Sequence, residues 1–330
     1  MNNDTKKVFI DGSAGTTGLR IKERLSERSD IELILLAEEV RKDNAARKEA
    51  IESSDISFLC LPDDAARDTA EMMQGNDTVI IDTSTAHRTA EGWTYGFPEL
   101  SGGAQRELIK NSKRIANPGC HASGFIALIA PLTEHGLIKK EANLSCFSLT
   151  GYSGGGKKMI AQYESRDASS NLSAPRQYGL SQQHKHLKEM QTISGLESAP
   201  AFCPVVANYY SGMELTVPVF AGDMNAGIEE IRDFYKSYYG VFGAAGSDSE
   251  PSGLISYADR IDRDGFISAG EMQGTDEMLI SVEGNSDRLL LTALFDNLGK
   301  GASGAAIQNM NIVMGADEKT GLVGFRTDRQ

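Results

Sequence analysis

Over the first 120 residues, short apolar runs alternate with polar stretches of helical spacing. KVFIDG is the first run, and IELILLA, SDISFLCLP and TVIIDTS follow it. A helix is expected from about Gly15 to Arg28 and another through DDAARDTAEMM, after which RIANP leads to a cysteine. Strands at this spacing with helical crossovers predict a parallel, doubly wound α/β sheet. From Cys120 the pattern changes. HASGFIALIAPLTEHG reads as one helix ending at Gly136, and longer alternating strands come after it: NLSCFSLTG, FCPVVANYYSGMELTVPVF, EMLISVEG and DRLLLTALFDN. GIEEIRDFYKSYYG is a helix among them. This predicts a second α+β domain with a mostly antiparallel sheet. The boundary is expected near residue 118, with 119–299 in the second domain. The closing NLGKGASGAAIQNMNIVMG turns helical, and 300–330 is expected to pack back on the first domain. GAAGSDSEPSG reads as an exposed loop.

A chain of 330 residues is long enough for both domains. Its net charge of −13 argues against nucleic acid or an anionic membrane as partner, so any bound phosphate must be held by a few placed groups. No apolar run approaches the roughly 18 residues of a membrane span. MNNDTKKVFI passes straight into a strand, without a leader pattern. Cys60, Cys120, Cys146 and Cys203 lie far apart, with neither CxxC nor zinc spacing. Free thiols and a cytoplasmic location are expected, and no metal site.

DGSAGTTG follows the first strand and opens the first helix. Gly12, Gly15 and Gly18, with Ser13, Ala14, Thr16 and Thr17 between them, are spaced for a tight turn whose helix N-terminus faces a pyrophosphate. In a βαβ unit this is a Rossmann-type dinucleotide loop. EEVRKD follows the second strand and holds acidic and basic residues together. Arg41 and Lys42 tip the expectation toward the 2′-phosphate of NADP, with NAD the alternative.

The stretch NPGCHASG puts Cys120 at a helix start, where the helix dipole favours the thiolate. Two of the five histidines, His184 and His186, lie in QYGLSQQHKHLKE with Glu189 close behind. Residues two apart share a face of an extended segment but not of a helix, so only one need meet the cysteine. His121 is expected to point away, and His87 and His135 to lie in a loop and at a helix end. GYSGGGKK nearly matches a P-loop, but Lys158 stands where Ser or Thr would bind magnesium. RIDRDGFISAGE mimics a calcium loop, but Arg260 occupies its first ligand position, so a surface turn is expected.

GSAGTTG, FLCLPDDAA, IDTSTAHR, YGFPEL, NPGCHASG, the SGGGK turn, HKHLKE and NLGKGASGAAIQNM together resemble the short bacterial type of N-acetyl-γ-glutamyl-phosphate reductases, from Val8 to about Gly315. The resemblance implies NADPH-dependent reduction of an acyl phosphate to an aldehyde through a cysteine thioester, in a homodimer or homotetramer. It makes Cys120 the nucleophile and His184 the acid/base, with His186 and Glu189 in support. Lys188 departs from the family's usual proline. The same motifs place Leu61, Pro62, Ser153, Gly154 and Asn297 on the cofactor side. Asn117 and Tyr178 fall on the substrate side, and Arg88 is the first phosphate candidate ahead of Lys157 and Arg176. Alternatives are a sister acyl-phosphate reductase, acting on N-acetylaminoadipyl phosphate or yielding aspartate semialdehyde, and a non-catalytic dinucleotide sensor. The lysine-pathway substrate differs by one methylene, which a pocket discriminates by only ~1–3 kcal/mol.

Overall fold

The structure, a computed structural model, describes residues 5–167, 169–244 and 251–325. The chain opens with β1 (Lys6–Asp11), α1 (Thr16–Leu25), β2 (Ile31–Ile34), α2 (Asn44–Glu52), β3 (Ile56–Leu59), α3 (Asp63–Met72) and β4 (Val79–Asp82). It continues with β5 (Thr94–Tyr95), α4 (Ala104–Lys110), β6 (Arg114–Ala116) and α5 (Cys120–Glu134). Next come β7 (Ser145–Gly151), α6 (Gly156–Glu164), β8 (Arg176–Gln177), α7 (His186–Ser194), β9 (Ala201–Ala207), β10 (Met213–Phe220) and α8 (Ile228–Tyr239). β11 (Ile255–Tyr257), β12 (Met278–Gly284), β13 (Arg288–Phe295) and α9 (Gly304–Met314) complete it.

The chain divides into two compact units. The first holds the described residues through Phe97, Gln105–Pro118 and Ala302–Leu322. Its sheet runs β2-β1-β3-β4-β6-β5, parallel throughout. The central strands are buried on both faces, Val8, Phe58 and Ile81 on one and Phe9, Leu59 and Ile80 on the other, and this is why they read as continuous apolar runs rather than alternating ones. Ala306, Ile307 and Met310 of α9 join that core with Ile21 and Leu25 of α1. IELILLA forms a strand only to Ile34; beyond it Leu35 is exposed while Leu36 still packs on the core. α2 went unread in the sequence; Asp43 caps it by accepting the Ala46 N–H at 2.8 Å.

The second unit holds Pro98–Ala104, the described residues of Gly119–Gly301 and those from Val323. Its sheet order is β11-β12-β13-β10-β7-β9-β8, antiparallel except where β7 meets β9 and β11 meets β12. The run FCPVVANYYSGMELTVPVF is therefore two strands that flank β7 rather than one. Ser211 breaks it by giving its hydroxyl to buried Asp296 at 2.7 Å.

Every residue of α5 from His121 to Thr133 is buried, as expected of a helix apolar all round. Gly124 lets it close on the sheet: a Cβ there would stand 2.8 Å from the Phe295 ring and 3.2 Å from Leu215. Pro131 inside the helix has no N–H for the Ala127 carbonyl, and the Tyr239 hydroxyl donates to that carbonyl instead, at 2.8 Å. Among the described residues no helix is long and apolar enough to cross a membrane. The central part of the GAAGSDSEPSG loop, residues 245–250, lies outside the described residues.

Candidate functional site

In the first unit, β1 ends at Asp11 and the glycine loop follows. Gly12 takes a φ of +84°, and a Cβ on it would meet the Cys60 carbonyl oxygen at 2.3 Å. A Cβ on Gly18 would meet the Gly12 oxygen at 2.6 Å. Both glycines are thus required by the fold itself. Gly15 is different: it is exposed, its φ is ordinary, and its Cβ would find nothing nearer than 3.5 Å. Its small size leaves room for a group outside the chain to approach the start of α1, with Ser13, Ala14, Thr16 and Thr17 around it. Leu61 borders the loop, its Cδ2 being 3.3 Å from where a Gly12 Cβ would stand. Pro62 is the N-cap of α3. Arg41 and Lys42 are exposed, and Arg41 pairs with Glu38 at 2.9 Å.

One ion pair here had no signature in the sequence. The Arg47 guanidinium grips buried Asp11 at 2.7 and 2.9 Å and reaches the Thr69 hydroxyl at 2.5 Å, fixing the strand end before the loop.

Arg88 and Asn117 differ from expectation. Arg88 is buried and donates to the carbonyls of Asn117 at 2.9 Å and Thr83 at 3.1 Å. Its guanidinium braces the backbone three residues before Cys120 rather than standing ready for phosphate. The Asn117 side chain donates to the Ala302 carbonyl at 3.1 Å and lies 3.2 Å from the Asn309 amide. It ties the strand end to the last helix.

In the second unit Cys120 is the first residue of α5, with Gly119 as N-cap. Gly119 is extended at φ −84°, so the proline-glycine pair makes a straight entry and not a left-handed turn. The Glu189 carboxylate, 2% exposed, accepts the Gly119 N–H at 2.9 Å. The helix N-terminus favours negative charge on the sulfur that follows. Gly301 abuts the cysteine, for a Cβ there would lie 2.9 Å from the Cys120 Cβ.

Three histidines form one cluster. His184 precedes α7 and His186 begins it, with ring centroids 4.8 Å apart. His121 joins them: its ring centroid lies 5.8 Å from that of His184 and 5.7 Å from that of His186, with its Nε2 2.7 Å from the Tyr178 hydroxyl. His184 is partly exposed while His186 is buried. The Nδ1 atom of His184 accepts the His186 N–H at 3.2 Å, so the proton of its neutral ring sits on Nε2. Burial and the Lys185 charge lower its pKa, which favours that neutral form. The loop carrying His184 is pinned to β9 by the Gln182 amide, which accepts from Phe202 N at 2.8 Å and donates to Phe202 O at 2.7 Å.

Tyr178 continues the β8 pairing by donating its N–H to the Pro204 carbonyl at 3.0 Å. Arg176, two residues earlier, falls on the same face of the extended segment. It is held against Tyr163, with NH2 to hydroxyl at 3.0 Å and its guanidinium 5.3 Å from the ring centre. Lys157 is exposed in α6. Asn297 donates to the Ser153 hydroxyl at 3.0 Å and accepts the Gly212 N–H at 2.9 Å, and Gly154 lies beside it. Cys146 is core, its thiol raised by burial, and Cys60 is pushed up to about 12 for the same reason. Cys203 is half-buried on β9. In the calcium-like segment Arg260 holds Asp262 at 2.8 Å, as a surface turn would. Among the described residues no group of three or more His, Cys, Asp or Glu is placed to hold a metal ion.

Residues 7–111 match the NAD binding domain of semialdehyde dehydrogenases, and residues 120–297 match their dimerisation domain. An N-acetyl-gamma-glutamyl-phosphate reductase of Trichormus variabilis is 43% identical, the alignment covering 96% of this chain and 99% of that one. One of Sinorhizobium medicae is 42% identical over 94% of this chain and 99% of that one. This chain belongs to the N-acetyl-gamma-glutamyl-phosphate reductase family. The fold is shared more widely. An aspartate semialdehyde dehydrogenase of Vibrio cholerae superposes with a TM-score of 0.69 at 17% identity, over 94% of this chain and 98% of that one. As a reductase of this family, the chain carries a nicotinamide dinucleotide-binding domain with its glycine loop at Gly12–Gly18, and Cys120 opens the second of the matched domains.

Proposed function

We propose that this chain reduces N-acetyl-gamma-glutamyl phosphate to N-acetylglutamate 5-semialdehyde and phosphate, with Cys120 as nucleophile. The observation that carries this reading is the placement of Cys120 at the start of buried α5, in the same unit as the His184 cluster. The names of relatives above 40% identity support the substrate.

The Cys120 thiolate adds to the γ-acyl carbon. A carbon–sulfur bond forms, the bond to the phosphate oxygen breaks, and a thioester remains. Bound NADPH supplies hydride to this carbon. The alkoxide oxygen that results accepts a hydrogen bond from His184 Nε2–H. As its carbonyl re-forms, the carbon–sulfur bond breaks and the thiolate returns. The Cys120 backbone N–H, at the helix start, is a second donor to that oxygen. Arg176 is the phosphate cation best supported by its position, on the face of β8 that carries Tyr178; Lys157 is the next. His186 and Glu189 position the site.

The residues fit a dinucleotide, because the exposed, uncrowded Gly15 leaves the start of α1 approachable. NADP is favoured over NAD by Arg41 and Lys42, and the exposed pair of Arg41 with Glu38 costs little to break. Leu61, Pro62, Ser153, Gly154 and Asn297 are assigned to the cofactor side. The two units serve as dinucleotide-binding and catalytic domains, with α9 completing the first.

A homodimer or homotetramer is supported by the outer face of the second sheet. Phe147, Phe220 and Leu290 are 45%, 62% and 42% exposed there, and Leu290 stands opposite Pro218. Such a row of apolar groups fits a second copy better than water. Four free cysteines support a reducing, cytoplasmic location.

The test runs the reaction backward with N-acetylglutamate semialdehyde, phosphate and NADP. Phosphate-dependent NADPH formation, absent in Cys120→Ser, supports the assignment. Turnover on aspartate semialdehyde or N-acetylaminoadipate semialdehyde alone moves the substrate.

A further inference from the structure

Three polar side chains of the second unit form a linked chain to which the steps above give no part. His121, 3% exposed, lies with Nδ1 2.8 Å from Ser148 Oγ and Nε2 2.7 Å from the Tyr178 hydroxyl. Ser148 sits on β7 with no exposed surface, and His121 is the sole side-chain hydrogen-bond partner of its hydroxyl among the described residues. A buried hydroxyl proton without an acceptor costs more than a completed bond returns, so this proton goes to Nδ1. The imidazole is neutral, because burial and the neighbouring His184 hold its pKa at about 3. A neutral ring has one N–H. With Nδ1 accepting, that N–H is on Nε2 and donates to the Tyr178 oxygen. The phenolic proton is then directed away from His121. It also stays on, because burial raises the phenol and charge at nearby Cys120 raises it further.

We infer that Ser148 and His121 are positioning residues that turn Tyr178 into a hydrogen-bond donor toward the oxygen that becomes anionic when Cys120 adds to the acyl carbon. The donor role rests on the reaction proposed above; the tautomer does not. With the opposite tautomer, Tyr178 would give its proton to Nε2 and offer an oxyanion only lone pairs. Ser148 therefore decides whether the phenol helps or repels. No proton is transferred in this role: the O–H bond stays intact while the oxyanion forms and collapses.

Two measurements on the full chain test this. Nitrogen-15 histidine spectra of the unliganded protein read the His121 tautomer: Nε2–H is expected, and Nδ1–H overturns the relay whatever the substrate. In the reverse assay, Tyr178→Phe is expected to lower kcat about 100-fold, in the range of a lost oxyanion donor, with KM within about threefold. Ser148→Ala is expected to lower kcat about tenfold, and Ser148→Thr, which keeps the hydroxyl, to restore it. Added to Tyr178→Phe, Ser148→Ala should change kcat no further. A wild-type kcat in Ser148→Ala, or losses that multiply in the double variant, overturns the inference. Should Ser148→Ala fail to fold, a wild-type kcat in Tyr178→Phe overturns it equally. If the wild type shows the Nε2–H tautomer but no phosphate-dependent turnover, the proposed reaction fails and the donor role with it, while the relay stands.

Discussion

The Glu189 carboxylate accepts the Gly119 N–H at 2.9 Å. This one bond joins the first turn of α7, which follows His184, to the residue before Cys120. Both ends are buried, so removing the acceptor leaves an N–H without a partner. Glu189→Ala is expected to cost about 1–3 kcal/mol and to lower kcat by moving thiol and histidine apart. Glu189→Gln keeps an acceptor and should recover most of the melting temperature. Thermal melts of the two variants check this; equal losses would mean that the charge, and not the bond, matters.

The three loop glycines should respond differently to alanine. Gly12→Ala forces a side chain into positive φ against the Cys60 carbonyl, and Gly18→Ala drives one into the Gly12 oxygen. Each is expected to lose about 1–3 kcal/mol of stability. Gly15→Ala meets nothing inside 3.5 Å and should melt like the wild type. Its expected defect is about tenfold weaker binding of NADP, read by titration.

Gly301 borders the thiol closely enough that a single methyl would displace it. A Cβ there stands 2.9 Å from the Cys120 Cβ and 3.2 Å from the Asp296 carbonyl. Gly301→Ala should lower kcat about tenfold or more by misplacing the sulfur, while dinucleotide affinity holds. A loss in affinity alone would show that the methyl is absorbed elsewhere.

His121 gives the chain an acid-side instability of known sign. Its folded pKa is lowered to about 3 from 6.5 by burial and by His184. Between those values the unfolded chain binds the proton and the folded one does not. Stability should therefore be full above about pH 6.5 and fall as pH drops toward 3, by up to about 4 kcal/mol. His121→Gln cannot titrate, and its denaturation midpoint should vary less over that window. An unchanged slope would place the effect on other groups.

Much of this was legible in sequence because it is local. GSAGTTG is a continuous turn directly after a strand, and NPGC is followed by an unbroken apolar helix. What escaped was long-range or depended on direction. Buried Lys300 holds both oxygens of Glu99 at 2.8 Å across 201 positions, and Arg47 finds Asp11 across 36. No spacing rule connects such pairs. His121 read as a bystander because its partners Ser148 and Tyr178 come from β7 and the segment after β8, which only sheet pairing brings together. Arg88 read as a phosphate ligand from its motif alone, whereas the fold engages it with backbone carbonyls. β9 and β10 merged because no proline or long polar loop parts them, only a tight return through Tyr210 and Gly212.

The central claim is that Cys120 carries the acyl group. Incubation with N-acetylglutamate semialdehyde and NADP, with phosphate withheld, allows oxidation to the thioester but not its discharge. Mass spectrometry of the acid-quenched protein should find one N-acetylglutamyl group on the peptide bearing Cys120, removed on adding phosphate and absent in Cys120→Ser. Phosphate-dependent turnover with Cys120 unmodified throughout, or preserved in Cys120→Ser, would contradict the covalent route.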